Sequence, residues 1–448
     1  MIRRFGQWTV GFAQRVVPDP FVIAIALTLL TFGLDIALTS NGAMDSLEHW
    51  HKGFWELLTF GMQMSLILIS GYALADAPLL RRGIQILSNL PQNTAHAAAL
   101  TVVVTCGFAF LHWGLGLIVG ALLAAEMGRS SLRRNLRFHY PLLGAAGYAG
   151  LLVWHGGISG SAPVKAASKA DLAEILGPEL SAQIGAMPLA TTVGSAMNIA
   201  IAAGVVIVLV VLCFLLSPDD SEIETPNESL SFDEKIPSAS EASERNGFIK
   251  SLENGPLLVW LVGAAVAAVV FHHFLQGGNL SFNLLNLIFL SAGLVLHGSP
   301  LAYGRSFGKG VQGASGIILQ FPLYGGIMGM MKYGVGDETL VRVFADSFVS
   351  VSTPQTLPIW TFFSAGLVNL FVPSGGGQWA VQGPVVMQAA VEMGASPHRV
   401  LMGLAYGDQW TNMLQPFWAL ALLGITGLKA NQIVGYTFLF FLGSAPIF

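Results

Sequence analysis

Charge is scarce in this sequence: Lys, Arg, Asp and Glu make up 10% of 448 residues, against 53% hydrophobic residues and a mean hydropathy of +0.64. An ordinary water-soluble surface, built with about 25% charged residues, is thereby excluded. The net charge of -4 is spread over loops and leaves no basic stripe, so no nucleic-acid partner is expected. Cysteine is nearly absent too. Cys106 and Cys213 each sit inside an apolar segment, which excludes a disulfide framework, and no metal-ligand spacing is present. No nucleophile stands at a recognisable spacing from an acid or base partner, so a membrane acyltransferase has nothing to work with and no enzyme is expected. What fills the chain instead is apolar runs of the ~20 residues that span a bilayer, plainest from Phe21 to Thr39, Leu189 to Leu216 and Leu257 to Phe274. The chain reads as an all-α polytopic membrane protein.

A second scarcity, of polar loops, makes the one long exception conspicuous. From Ser217 to Asn246 the residues are acids, serines and prolines, a composition too polar to bury, which predicts a disordered linker. It divides the chain into a first membrane repeat (1–216), a cytoplasmic linker (217–250) and an inverting helix with a second repeat (251–448). The halves share an order of features. TVVVTCGFAFLHWGLG from Thr101 and TFFSAGLVNLFVPSGGG from Thr361 each rise apolar, meet a glycine-rich interruption and run on to Glu-Met-Gly, at 126–128 and 392–394. Arg3, Arg4 and Arg15 predict a cytoplasmic N-terminus, and the cluster Arg129, Arg133, Arg134 and Arg137 belongs on the same side. That placement makes 101–127 a helical hairpin turning near His112, with a counterpart at 361–393. The loop 394–399 holds one arginine, as an inverted second half would require. Two inverted-topology repeats with hairpins and interrupted helices are the architecture of secondary transporters, here read as an elevator-like carrier. The competing explanation is that charges are merely sparse in the second half.

Four interruptions carry the candidate chemistry: HWGLG at 112–116, WHGGISGSAP at 154–163, PSGGGQ at 373–378 and YGDQWTNMLQPFW at 406–418. In the second and third, small residues precede a renewed helical pattern, leaving backbone N–H groups that suit an anion. Ser159, Gly160, Ser161, Ser374, Gly375, Gly376, Gly377 and Gln378 are therefore candidate substrate contacts, with close helix packing as the competing role for the glycines. In the fourth, Gln409, Asn412 and Gln415 would add polar lining. Asp408, an intramembrane carboxylate, is the leading candidate for a coupling proton or sodium ion. His112 and His155 could pass protons, and Asn198 could line the path or brace two helices. Trp379, Phe417 and Trp418 would receive an apolar tail. VKAASKADLAEIL, from Val164, reads as one amphipathic helix. Trp8, Trp50, Trp55 and Trp260 read as interface anchors.

At these motifs the sequence resembles the bacterial short-chain fatty-acid transporter family. The likeness runs along the whole chain and is carried by VPDP from Val17, GFWELLTFGMQM from Gly53, PSGGGQWAVQGP from Pro373 and AYGDQWTNMLQPFWAL from Ala405. The resemblance implies uptake of butyrate- or acetoacetate-like monocarboxylates across the bacterial inner membrane, with no cofactor beyond a coupling proton or sodium ion. It also implies a distant similarity to the ion-transporter superfamily of carboxylate carriers. A homo-oligomer is compatible with such a carrier. A carrier or exchanger for another small organic anion is the alternative, and a channel using the same glycines as a filter is a further rival.

Overall fold

The computed structural model describes residues 2–226, 247–278, 281–336 and 338–448, and contains helices and no strand among them. In chain order the first half holds α1 (Ile2–Val16), α2 (Pro20–Leu38), α3 (Ala43–Glu56), α4 (Leu58–Asp76), α5 (Pro78–Ser88), α6 (Thr94–Leu111), α7 (Trp113–Arg133), α8 (Tyr140–Tyr148), α9 (Ser161–Ala167), α10 (Lys169–Leu176), α11 (Pro178–Ile184) and α12 (Ala196–Leu216). The second half holds α13 (Gly247–Asn254), α14 (Leu257–Leu275), α15 (Phe282–His297), α16 (Pro300–Val311), α17 (Ser315–Lys332), α18 (Leu340–Val349), α19 (Leu357–Asn369), α20 (Gly375–Met393), α21 (Pro397–Thr411), α22 (Pro416–Thr426) and α23 (Ala430–Ser444). Among the described residues seven helical segments are long and apolar enough to cross a bilayer, including Pro20–Leu38, Thr94–Leu111, Trp113–Arg133 and Ala196–Leu216. This is an all-α polytopic membrane protein with hairpins and interrupted helices.

Local chemistry sets where the helices begin. Asp19 accepts the Phe21 N–H at 2.9 Å just before Pro20, Asn93 accepts that of His96 at 3.0 Å, and Ser195 accepts that of Asn198 at 3.2 Å. The last of these starts α12 at Ala196, so the apolar run from Leu189 enters its helix seven residues late, after a short 3-10 turn at 189–191. The stretch from Val164 is likewise two helices rather than one: Ser168 caps α10 by accepting the Asp171 N–H at 3.3 Å. A helical period continues across such a cap, which is why the pattern alone reads as a single helix.

Two hairpins dominate the interior. α6 and α7 are joined by one extended residue, His112 (φ -155°, ψ 120°), and their arms are so close that a Cβ on Gly116 would stand 2.6 Å from the Ala109 backbone nitrogen. α19 and α20 form the other: Gln378 Nε2 donates to Ala365 O at 2.8 Å and Gln382 Nε2 to Ser364 Oγ at 2.8 Å, a pairing that runs the arms antiparallel. Each hairpin is followed by an interrupted helix, α8–break–α9 after the first and α21–break–α22 after the second. Packing between elements relies on small residues, as expected where lipid removes the usual apolar driving force. A Cβ on Gly147 of α8, for example, would lie 2.6 Å from the Gly120 carbonyl of α7.

The buried apolar side chains fall into two clusters. The larger joins α4, α6, α7, α8, α12, α17, α22 and α23; the smaller joins α9 to α11 with α19, α20 and the first turns of α21. Trp379, read from sequence as a substrate-tail contact, is fully enclosed in the smaller cluster. Trp8, Trp55 and Trp260 are more than half exposed, whereas Trp50 lies against Gly326 and pairs with Phe54 at 5.1 Å. The linker at 227–246 lies outside the described residues. Its stem is folded: Tyr140 N donates to Glu224 O at 2.8 Å and Glu224 N to the His139 side chain at Nδ1, 3.0 Å, so both backbone groups of Glu224 are satisfied at the foot of α8.

Candidate functional site

The two interrupted helices cross, and the crossing is where most of the sequence candidates meet. In the first interruption the chain leaves α8, makes a 3-10 turn at 149–152 and runs irregularly to Gly160. In the second, α21 ends at Thr411 and a 3-10 turn at 412–414 leads to α22. Backbone groups released by one break are satisfied by the other. Gln409 Oε1 accepts the N–H groups of both His155 and Gly156 at 3.0 Å. In return the Tyr148 hydroxyl donates to the carbonyls of Asn412 at 2.9 Å and Gln415 at 3.1 Å. Irregular backbone at membrane depth requires this kind of enclosure by protein.

His155 and Asp408 form the ionisable centre. Their side chains are 0% and 1% exposed, and His155 Nδ1 stands 3.1 Å from Asp408 Oδ1. The other ring nitrogen, Nε2, accepts the Ala162 N–H at 3.1 Å. Both Asp408 oxygens are buried without an aligned hydrogen bond, so the 3.1 Å approach is an ion-pair distance rather than a well-formed bond. Trp154 stacks on the imidazole at 4.3 Å between centroids and continues into an aromatic group of Trp113, Trp418 and Phe282.

The tip of the second hairpin closes onto this centre. A Cβ on Gly375 would stand 2.7 Å from His155 Cε1 and 2.7 Å from Trp154 Cη2; one on Gly376 would lie 3.8 Å from Ser161 Oγ. Glycine is therefore required at 375 for the approach itself. Ser374 caps α20 by accepting the Gly377 N–H at 3.2 Å, and Gln378 N donates to Ser374 O at 2.7 Å. The first turn of a 19-residue helix thus stands against the ring of His155 and Ser161, with the Gly377 and Gln378 amides bonded to Ser374.

Other candidates are placed differently from the sequence reading. Ser159 accepts the Trp113 N–H at 3.0 Å and so holds the first hairpin's tip instead of facing the second. Gly160 is pinned against His155's own carbonyl side, where its N–H donates to Gly157 O at 3.0 Å. His112 caps α7 through the Gly114 N–H at 3.2 Å. Asn198 is a brace: its amide donates to the carbonyls of Gly156 and Val193 at 2.8 and 2.7 Å, and its Oδ1 accepts the Tyr406 hydroxyl at 3.0 Å. Gln378 turns between the arms of its own hairpin. Asn412 and Gln415 reach back to α19, where Asn369 Nδ2 donates to Asn412 Oδ1 at 3.0 Å and Gln415 Nε2 donates to the Asn369 carbonyl. Asn369 itself, 1% exposed, and Tyr148 are the residues the sequence reading missed. A single asparagine in the apolar arm next to PSGGGQ was the available signal for the first.

Among the described residues no group of three or more His, Cys, Asp and Glu is placed to hold a metal. The chain matches the family described as Short chain fatty acid transporter over residues 1–448. A protein of Haemophilus influenzae and one of Escherichia coli K12, both designated short-chain fatty acid transporters, are each 36% identical to it. Each alignment covers 100% of this chain and 98% of the relative. Two solved structures superpose loosely. One is MtrF of Neisseria gonorrhoeae, described with a class of antimetabolite efflux pumps, at TM-score 0.38 and 15% identity over 99% of this chain and 96% of that one. The other is the YdaH transporter of Alcanivorax borkumensis, described as having an unusual topology, at TM-score 0.39 and 14% identity over 96% and 97%.

Proposed function

The chain belongs to the short-chain fatty acid transporter family, and from that membership and the site's geometry we propose that it is a secondary active importer of small monocarboxylates of the butyrate and acetoacetate type. The observation that carries this reading is the contact of Gly375 and Gly376 with His155 and Ser161 inside the buried crossing. The substrate's carboxylate is held by the first amides of α20 and the Ser161 hydroxyl, a donor-rich spot of the kind that helix starts offer to anions. Its short apolar chain lies toward Trp154 and Trp418, both nearly buried beside the site. Uptake is coupled to a cation at the Asp408 side, and the two halves act as inverted repeats whose hairpins move against the plain helices. The N-terminus faces the cytoplasm of a bacterial inner membrane, following the arginines at 3, 4 and 15.

Purified protein in liposomes, given labelled butyrate or acetoacetate, tests this directly. Saturable uptake that unlabelled short-chain carboxylates compete away is expected. Uptake no faster than in protein-free liposomes, which register the passive entry of the free acid, would refute the substrate class. Single-channel currents in place of saturable flux would move the protein to another class.

A further inference from the structure

The two nitrogens of His155 are not equivalent. Nε2 accepts the Ala162 N–H, so in the neutral ring the proton is on Nδ1, 3.1 Å from Asp408 Oδ1. A neutral ring beside an ionised Asp408 leaves one negative charge fully enclosed, with no aligned hydrogen bond to either oxygen. Buried charge of this kind requires a compensating cation. A metal ion at Oδ1 would meet an N–H donor where it needs a further lone pair. A proton on Asp408 brings the pair to zero net charge without moving either side chain, since Nε2 of the ring is already occupied by the Ala162 N–H.

We infer that the His155–Asp408 pair is the seat of a coupling proton, one bound with each substrate carboxylate. This rests on the uptake reading for the place of the anion and goes beyond it in naming the ion and its seat. The absent Cβ of Gly375 would lie 2.7 Å from His155 Cε1 and 3.2 Å from Nδ1, so the ring bridges the α20 tip and Asp408. Protonation removes the negative charge that would repel an arriving carboxylate, and the bound carboxylate in turn favours the proton. By linkage the two effects are equal.

Few other ionisable groups face the pair. Of the elements packed on α21, α19 carries none, and α20 has only Glu392 at its far end. α21 adds Tyr406, whose hydroxyl is given to Asn198, and His398 and Arg399 at its opposite end. Tyr148 of α8 donates to the second break, His112 caps α7, and α9 contributes half-buried Lys165 one turn beyond Ser161.

The experiment is butyrate binding by calorimetry, on the whole protein in sodium-free detergent buffer, at a series of pH values from mildly acidic to alkaline. Affinity is expected to fall up to about tenfold per pH unit on the alkaline side, the slope of one linked proton. Binding heats should vary with buffer ionisation enthalpy as one proton taken up per butyrate, and Asp408→Asn should abolish both dependences. If that variant does not fold, the wild-type slope and buffer dependence still decide. Affinity flat in pH but rising with sodium overturns the proton seat and leaves the uptake reading standing. Absence of both butyrate and acetoacetate binding, with no carrier-dependent uptake, brings down the reading and the inference together.

Discussion

Gln409 is the residue whose replacement would most directly test how the site is held. Its single side-chain oxygen accepts two backbone N–H groups, those of His155 and Gly156, at 3.0 Å each, and the side chain is 2% exposed. Gln409→Met keeps the length and loses the acceptor, leaving two buried donors unmatched. Each unmatched donor costs about 1–3 kcal/mol, so the local structure should lose roughly 2–6 kcal/mol. Hydrogen exchange reads that loss as a ratio: the amides of 155 and 156 should exchange about 30-fold to about 20,000-fold faster, with distant helices unchanged. His155 would then be free to leave Asp408, and butyrate uptake should fall with the protection. Gln409→Glu retains an acceptor and should keep exchange slow. If Gln409→Met exchanges and transports like the parent, the two breaks are not held by this residue and the account of the crossing is wrong.

Three further outcomes follow from single contacts. Tyr148→Phe removes the donor to the Asn412 and Gln415 carbonyls and should lower stability by about 1–2 kcal/mol, read by denaturation in detergent, with Tyr406→Phe separately loosening Asn198. Gly375→Ala places a methyl 2.7 Å from two buried rings and should cut uptake at least about tenfold, at an overpacking cost of about 1–3 kcal/mol, while overall melting changes little. His139 lies in the loop before α8, where burial pushes its imidazole down to about 4, and it accepts the Glu224 N–H while facing the Tyr436 hydroxyl at 2.8 Å. Its native-state value lies below the unfolded one, so its contribution is full above about pH 6.5 and is lost as pH falls from there toward 4. Thermal melting in detergent should therefore drop across that window, and His139→Gln should flatten the drop; a parent curve without it would refute the buried neutral histidine.

The spans were legible because bilayer thickness imposes a length of apolar sequence, and α2 and α14 lie within a residue or two of where hydropathy places them. The interruptions were legible because glycine, serine and proline inside apolar runs have few other uses. Their partners were not. Nothing in WHGGISGSAP indicates that Ser159 serves the first hairpin while His155 serves the second interruption, since both assignments depend on which helices cross. Asn198 read equally as a path residue or a brace, and only three simultaneous hydrogen bonds decide for the brace. Trp379 looked like a ligand contact by its closeness to Gln378; one helical position turns it into the smaller apolar cluster.

The hydrogen bonds also divide the crossing into parts that must stay together and a part that can leave. Gln409 and Tyr148 tie one interruption to the other through three buried donors, the N–H groups of His155 and Gly156 and the Tyr148 O–H shared between two carbonyls. Between residues 374–377 and 154–161 there is, among the described residues, no hydrogen bond; Gly375 and Gly376 meet His155, Trp154 and Ser161 by surface contact alone. Withdrawing the α20 tip therefore uncovers His155 and Ser161 without leaving any polar partner unmatched, whereas separating the two interruptions would strand several. Access to a site this enclosed needs some element to move, and the energetics favour the tip. Under the proposed uptake reading the amides of Gly375 and Gly376 would then meet an anion at the seated tip, through a contact weak enough to release.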